Sequence, residues 1–97
     1  MVQELRKQVA ATGMAVSWYH WRSAGGAEVD LLLEKDAMLY PFEFKLTSNP
    51  SRRDASGIHA FKTAYPNRRI AKGAIICAVE RPRWITEEVL AVPWNLL

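Results

Sequence analysis

Two short segments that alternate apolar and charged residues, separated only by a turn, constrain this chain more than any other feature. Glu28-Val29-Asp30-Leu31-Leu32-Leu33-Glu34 and Pro41-Phe42-Glu43-Phe44-Lys45-Leu46 both repeat with a period of two, the mark of strands with one face buried. In the first, Val29, Leu31 and Leu33 are predicted to share a face, with Glu28, Asp30 and Glu34 opposite. In the second, Phe42, Phe44 and Leu46 share a face, with Glu43 and Lys45 opposite. Lys35-Asp36-Ala37-Met38 reads as the connecting turn, although Ala37 fits less well than glycine where favoured hairpin turns need φ > 0. With Asp36 and Ala37 as the loop, residue i faces residue 73 − i, so Asp30 faces Glu43 and Glu28 faces Lys45. A slip by one residue would split the two apolar faces, so burial selects against it. Facing side chains lie about 5 Å apart at Cβ. Two carboxylates and an ammonium therefore converge.

The remaining sequence arranges itself around this hairpin as one small domain over residues 1–97. Val2 to Thr12 is predicted to be a helix, with Val2, Leu5 and Val9 on one face and Gly13 as its stop. Val16 to Arg22 reads as an aromatic strand, with Tyr19 and Trp21 pointing one way and Trp18, His20 and Arg22 the other. Ala24-Gly25-Gly26 breaks it. Ser51 with Asp54 three positions on resembles a capping box, and Pro50 is an alternative helix start. That second helix should run to about Ala64 and turn Ala55, Ile58, Phe61 and Tyr65 toward the core, with Pro66-Asn67 ending it. Gly73 to Val79 is a continuous apolar run, as in a central strand buried on both faces. Glu80 to Glu88 reads as a loop and Val89 to Val92 as a last short strand. The expectation is an α/β fold with a mixed sheet of four or five strands and flanking helices.

At 49% hydrophobic and 24% charged residues, the composition is globular. No apolar run approaches the roughly 20 residues that cross a bilayer, and the first residues lack the layout of a signal peptide. No membrane association is expected. Cys77 has no partner for a disulfide and lies in the apolar run, so it reads as an inert core thiol in a reducing cytoplasm. The charge is uneven: residues 1–51 carry five Lys/Arg and six Asp/Glu, residues 52–83 eight and two. Arg52, Arg53, Lys62, Arg68, Arg69 and Lys72 are candidates for contacts with the phosphates of a nucleic acid, or are simply solvated.

Asp30, Glu43 and Lys45 are the candidate catalytic residues. Two adjacent carboxylates repel, and one takes up a proton unless a cation neutralises them. A divalent ion does so with hard oxygen ligands, and Mg²⁺ or Mn²⁺ is the expected cofactor. Such an ion acidifies a water and offsets charge developing on a phosphoryl oxygen. A lysine two residues from the second acid reaches the same pocket and can hold the water or the transition state. That set suits phosphodiester hydrolysis.

An acid, a gap of twelve residues and then Glu-x-Lys on the next strand resembles the PD-(D/E)XK nucleases. The resemblance implies an αβββαβ core of restriction-endonuclease type, with Asp30, Glu43 and the backbone carbonyl of Phe44 as metal ligands and Lys45 as catalytic lysine. Some branches add an acid from the first helix, where Glu4 is the candidate. Val29 stands where the motif has proline. The run Trp21-Arg22-Ser23 through Gly26-Ala27-Glu28-Val29-Asp30, Phe42-Glu43-Phe44-Lys45 and Ala74-Ile75-Ile76-Cys77 also resembles domain-of-unknown-function family 4143. That family typically forms the carboxy-terminal part of prokaryotic AAA-type ATPases. It implies a longer protein and an ATPase module in cis or in trans, since GxxxxGK[ST] does not occur in this sequence.

The competing expectation is a non-catalytic DNA-binding or assembly domain of such an ATPase, with the charged ladder serving as cross-strand ion pairs worth a few tenths of a kcal/mol. Glu28 is then the structural partner of Lys45, and Glu34 a solvated strand end. Trp84 or Trp94 would contribute to a homodimer interface. Trp18, Trp21, Trp84 and Trp94 could stack on bases, but packing is the expected role, as it is for His20 in its aromatic strand.

Overall fold

The computed structural model describes residues 17–96. The helix expected over Val2–Thr12 and the candidate ligand Glu4 lie outside the described residues. The strands are β1 (Ser17–Arg22), β2 (Glu28–Lys35), β3 (Met38–Phe44), β4 (Arg69–Ile70), β5 (Gly73–Cys77), β6 (Arg83–Thr86) and β7 (Val89–Pro93). They form one sheet in the order β1-β2-β3-β5-β7-β6, with β4 beside β3. The sheet is mixed: β1–β2, β2–β3 and β6–β7 are antiparallel, whereas β5 runs parallel to both β3 and β7. One helix, α1 (Ser56–Ala64), connects β3 to the second half and is led in by a 3₁₀ turn over Arg52–Ala55. Strand thus dominates among the described residues, and the sheet is wider than the expected four or five strands.

The hairpin has the register its turn dictates. Lys35 pairs with Met38 and Leu31 with Phe42, and both loop residues lie in the left-handed region, Asp36 at φ 54° and Ala37 at φ 64°. Positive φ at both central positions twists the turn to match the strands. The face assignment of β2 is different from the simple alternation. Val29 and Leu32 join the core under α1 with Ile58 and Phe61, while Leu31 and Leu33 pack with Tyr40, Phe42 and Phe44 in a separate cluster. The cause is a register shift against β1. Tyr19 pairs with Leu32 and Trp21 with Val29, so His20 alone faces both Asp30 and Leu31. This β-bulge resets which side each residue takes. Leu46, expected beside Phe42 and Phe44, lies past the end of β3 and is 91% exposed.

The second helix follows its sequence signals. Ser51 donates its main-chain N–H to Asp54 Oδ2 at 2.8 Å, which is the reciprocal half of a capping box. Ala55, Ile58 and Phe61 are buried as expected, while Tyr65 sits half-exposed at the helix end against Phe61 and Trp21. A Cβ built on Gly57 would collide with the carbonyl oxygen of Glu28, so only glycine lets α1 settle this close to β2. β5 is buried between β3 and β7, although it ends at Cys77 rather than Val79. Cys77 is fully buried. The segment read as a loop over Glu80–Glu88 contains β6. It is an edge strand with exposed Trp84, and it takes its register from β7 rather than from any alternation of its own. No helix among the described residues is long and apolar enough to cross a membrane.

Candidate functional site: a carboxylate clasp between two strands

The main-chain pairing of β2 with β3 runs from Lys35–Met38 to Leu31–Phe42. The next pair in that register would be Asp30 with Glu43. There, side chains replace part of the ladder. Glu43 Oε1 accepts the main-chain N–H of Asp30 at 3.0 Å, and Asp30 Oδ2 accepts the main-chain N–H of Phe44 at 2.9 Å. Each carboxylate thus ties its own strand to the other by accepting a main-chain N–H, and the two acids are held as neighbours.

Glu43 is the one buried charged residue among those described, at 4% exposure. Burial, followed by the charge of Asp30, pushes its carboxyl up from 4.5 to about 7, although the Asp30 N–H and Lys45 pull it back. The carboxyl therefore titrates near neutrality. Lys45 Nζ lies 3.5 Å from Glu43 Oε2 and its side chain remains partly exposed, so the pair joins a buried acid to a base that solvent reaches. All three candidate catalytic residues meet here. The donor chemistry fits a hard divalent cation: two oxygen-bearing acids lie together, and the buried one lacks enough positive charge to ionise fully. Among the described residues, no set of three or more His, Cys, Asp or Glu could hold a metal. Within the described residues, further ligands would be main-chain carbonyls, such as that of Phe44, and water.

Glu28 does not partner Lys45. It pairs with Arg22 Nη2 at 3.0 Å and lies 3.7 Å from His20 Nε2, because β1 is its neighbour across the sheet. The other ring nitrogen of His20 lies 3.4 Å from the carbonyl oxygen of Asp30, which ties this histidine to the bulge beside the clasp. The basic residues divide into two groups. Arg68 holds Glu34 at 3.0 Å and Lys62 holds Glu88 at 2.8 Å, and the Lys62 ammonium keeps the Glu88 carboxyl below its usual range. Arg52, Arg53 and Arg69 are exposed, and Lys72 places its ammonium 5.0 Å from the centre of the Trp84 ring. Glu34 is no simple solvated strand end, since it accepts the Tyr19 hydroxyl at 3.1 Å as well as Arg68. The register sets this up, with Glu34 opposite Ser17, two residues from Tyr19 along β1.

Comparison with known proteins places the whole chain in one family: a domain of unknown function, DUF4143, matches residues 1–97. The chain belongs to the DUF4143 family. It is similar to an uncharacterized protein of Mycobacterium bovis and to another of Mycobacterium tuberculosis, each 32% identical over 87 residues. The match takes in 90% of this chain but only 19% of each relative, so the chain spans about a fifth of the length of these curated relatives. No solved structure matches.

Proposed function

We propose that this DUF4143 chain is a nuclease-like module of PD-(D/E)XK type, with a divalent-metal site at Asp30 and Glu43 and hydrolysis of nucleic-acid phosphodiesters as its chemistry. The observation that carries this reading is the clasp. It presses two acids together, buries one and sets an ammonium 3.5 Å from it. Mg²⁺ or Mn²⁺ would be held by the two carboxylates and the carbonyl of Phe44, and when bound it supplies an acidified water and positive charge for a phosphoryl oxygen. Asp30 contributes the more open carboxylate. Glu43 contributes a carboxylate whose ionisation depends on the positive charge nearby. Lys45 supplies part of that charge and presents Nζ on a partly exposed side chain, where it can hydrogen-bond a water or a phosphate oxygen.

A second reading rests on the same hydrogen bonds. Both carboxylates accept main-chain N–H groups that the ended ladder would otherwise leave unpaired, which by itself is a structural role suited to a DNA-binding or assembly domain attached to an ATPase module. Isosteric variants separate the two. Asn and Gln keep an oxygen that can accept the same N–H, but they remove the charge a metal needs. Calorimetric titration with Mn²⁺ should show binding by the wild type and none by Asp30→Asn with Glu43→Gln. Absence of binding by the wild type at millimolar Mn²⁺, together with no cleavage of single- or double-stranded DNA or RNA, would overturn the catalytic reading.

A further inference from the structure

Away from the clasp, on the α1 side of the sheet, lies a cleft of about 340 Å³, within the size range of small-ligand sites. Its aromatic wall is Tyr19, Trp21, Phe61 and Tyr65, and Glu34 and Arg68 also line it. Trp21 meets Phe61 with centroids 5.3 Å apart at 66°, and Tyr65 at 6.4 Å and 74°. Phe61 and Tyr65 are tilted by 51° at 5.2 Å. Edge-to-face and tilted contacts fix the orientation of these rings without stacking them in parallel. Tyr19 and Tyr65 are 48% and 42% exposed, which keeps part of this wall in reach of a ligand.

The polar side of the cleft selects what can enter. Glu34 Oε2 accepts Arg68 Nη2 at 3.0 Å and Oε1 accepts the Tyr19 hydroxyl at 3.1 Å. The ion pair is neutral overall. A lone cation would meet the Arg68 guanidinium, and a lone phosphate would meet the Glu34 carboxylate. A flat ring whose edge offers a donor beside an acceptor satisfies both groups at once, and every nucleobase has such an edge. Position supports the same choice. His20 lines the cleft and also lies 3.4 Å from the carbonyl oxygen of Asp30. Glu34 is four residues from Asp30 along β2, about 13 Å at the rise of a strand, a distance that a few nucleotides of single strand bridge.

We propose that this cleft receives an unpaired nucleobase of a single-stranded nucleic acid whose backbone leads to the carboxylate clasp. The inference deepens the phosphodiester reading and rests on it for the direction of the strand. The test uses fluorescence anisotropy in EDTA, with a labelled eight-nucleotide DNA single strand and the same strand made abasic throughout. Wild-type protein should bind the base-bearing strand about ten-fold more tightly, the size of one stacking contact. Tyr65→Ala and Arg68→Gln should each reduce that preference. Arg81→Gln, outside the cleft, should leave the preference unchanged even where it weakens both strands. Arg68 is exposed, so its variant remains informative if Tyr65→Ala fails to fold. Equal binding of both strands by the wild type, no binding, or a preference that survives Arg68→Gln overturns the cleft. Because no metal is present, the outcome is independent of the Mn²⁺ titration. Loss of metal binding with a retained base preference would sink catalysis and leave a recognition module, and the converse would sink only the cleft.

Discussion

The two ends of one hairpin carry similar residues and do different things with them. At the turn, Lys35 lies 3.7 Å from Asp36 on the surface, with the aspartate 85% exposed, beside the last main-chain pair Lys35–Met38. At the open end, Glu43 and Lys45 are as close, at 3.5 Å, but the acid is buried and shares its site with Asp30. Distance alone does not distinguish these pairs. Solvent does, because water reaches both members of the first pair but only the ammonium of the second, whose acid is buried. The difference arises where the backbone ladder stops. Once the strands cease to pair by main chain alone, carboxylates must satisfy the free N–H groups, and that requirement draws acidic side chains inward.

The sharpest way to break this contrast is to titrate it. A carboxyl whose pKa rises on folding stabilises the fold fully below its unfolded value and loses that contribution as pH rises through the folded one. For Glu43 the window runs from 4.5 to about 7, and the contribution lost across it is about 3 kcal/mol. Urea unfolding at pH 5 and pH 7.5 should show this decline in the wild type and not in Glu43→Gln. Equal pH dependence in the two would mean that the buried acid is not what sets the open end apart.

At the turn the expected effects are smaller and of another kind. Ala37→Gly should stabilise the protein by about 1 kcal/mol, since φ 64° strains alanine and not glycine. A higher thermal midpoint checks this, and an unchanged or lower one would deny that the turn is strained. Lys35→Ala should change stability by under about 0.5 kcal/mol. A loss as large as that of Lys45→Ala in the same urea series would erase the distinction between the two ends.

Much of the hairpin was legible because its two signals are local. Period-two alternation marked the strands, and the two-residue loop set a register in which Asp30 meets Glu43 and Lys45. α1 was legible for the same reason, from Ser51 and Asp54 at its start to Pro66 at its end. What escaped depends on partners distant in sequence. The bulge opposite His20 arises from how β1 meets β2, and it moves Val29 to the helix side of the sheet, which no alternation within β2 contains. Glu28 turns to Arg22 across β1 instead of Lys45 for that reason. β6 is specified by β7, and the aromatic cleft requires β1 to meet the far end of α1.

The approach of Gly57 to the Glu28 carbonyl bears on whether the clasp could be moved to another protein. It is a backbone-to-backbone fit two residues before Asp30, so no exchange of side chains can reproduce it. A designer who grafted the hairpin alone onto a foreign sheet would transfer the ligands but not the helix that the strand beside them is shaped to receive. The smallest transferable unit of this chemistry is therefore a strand pair together with the helix that rests on it.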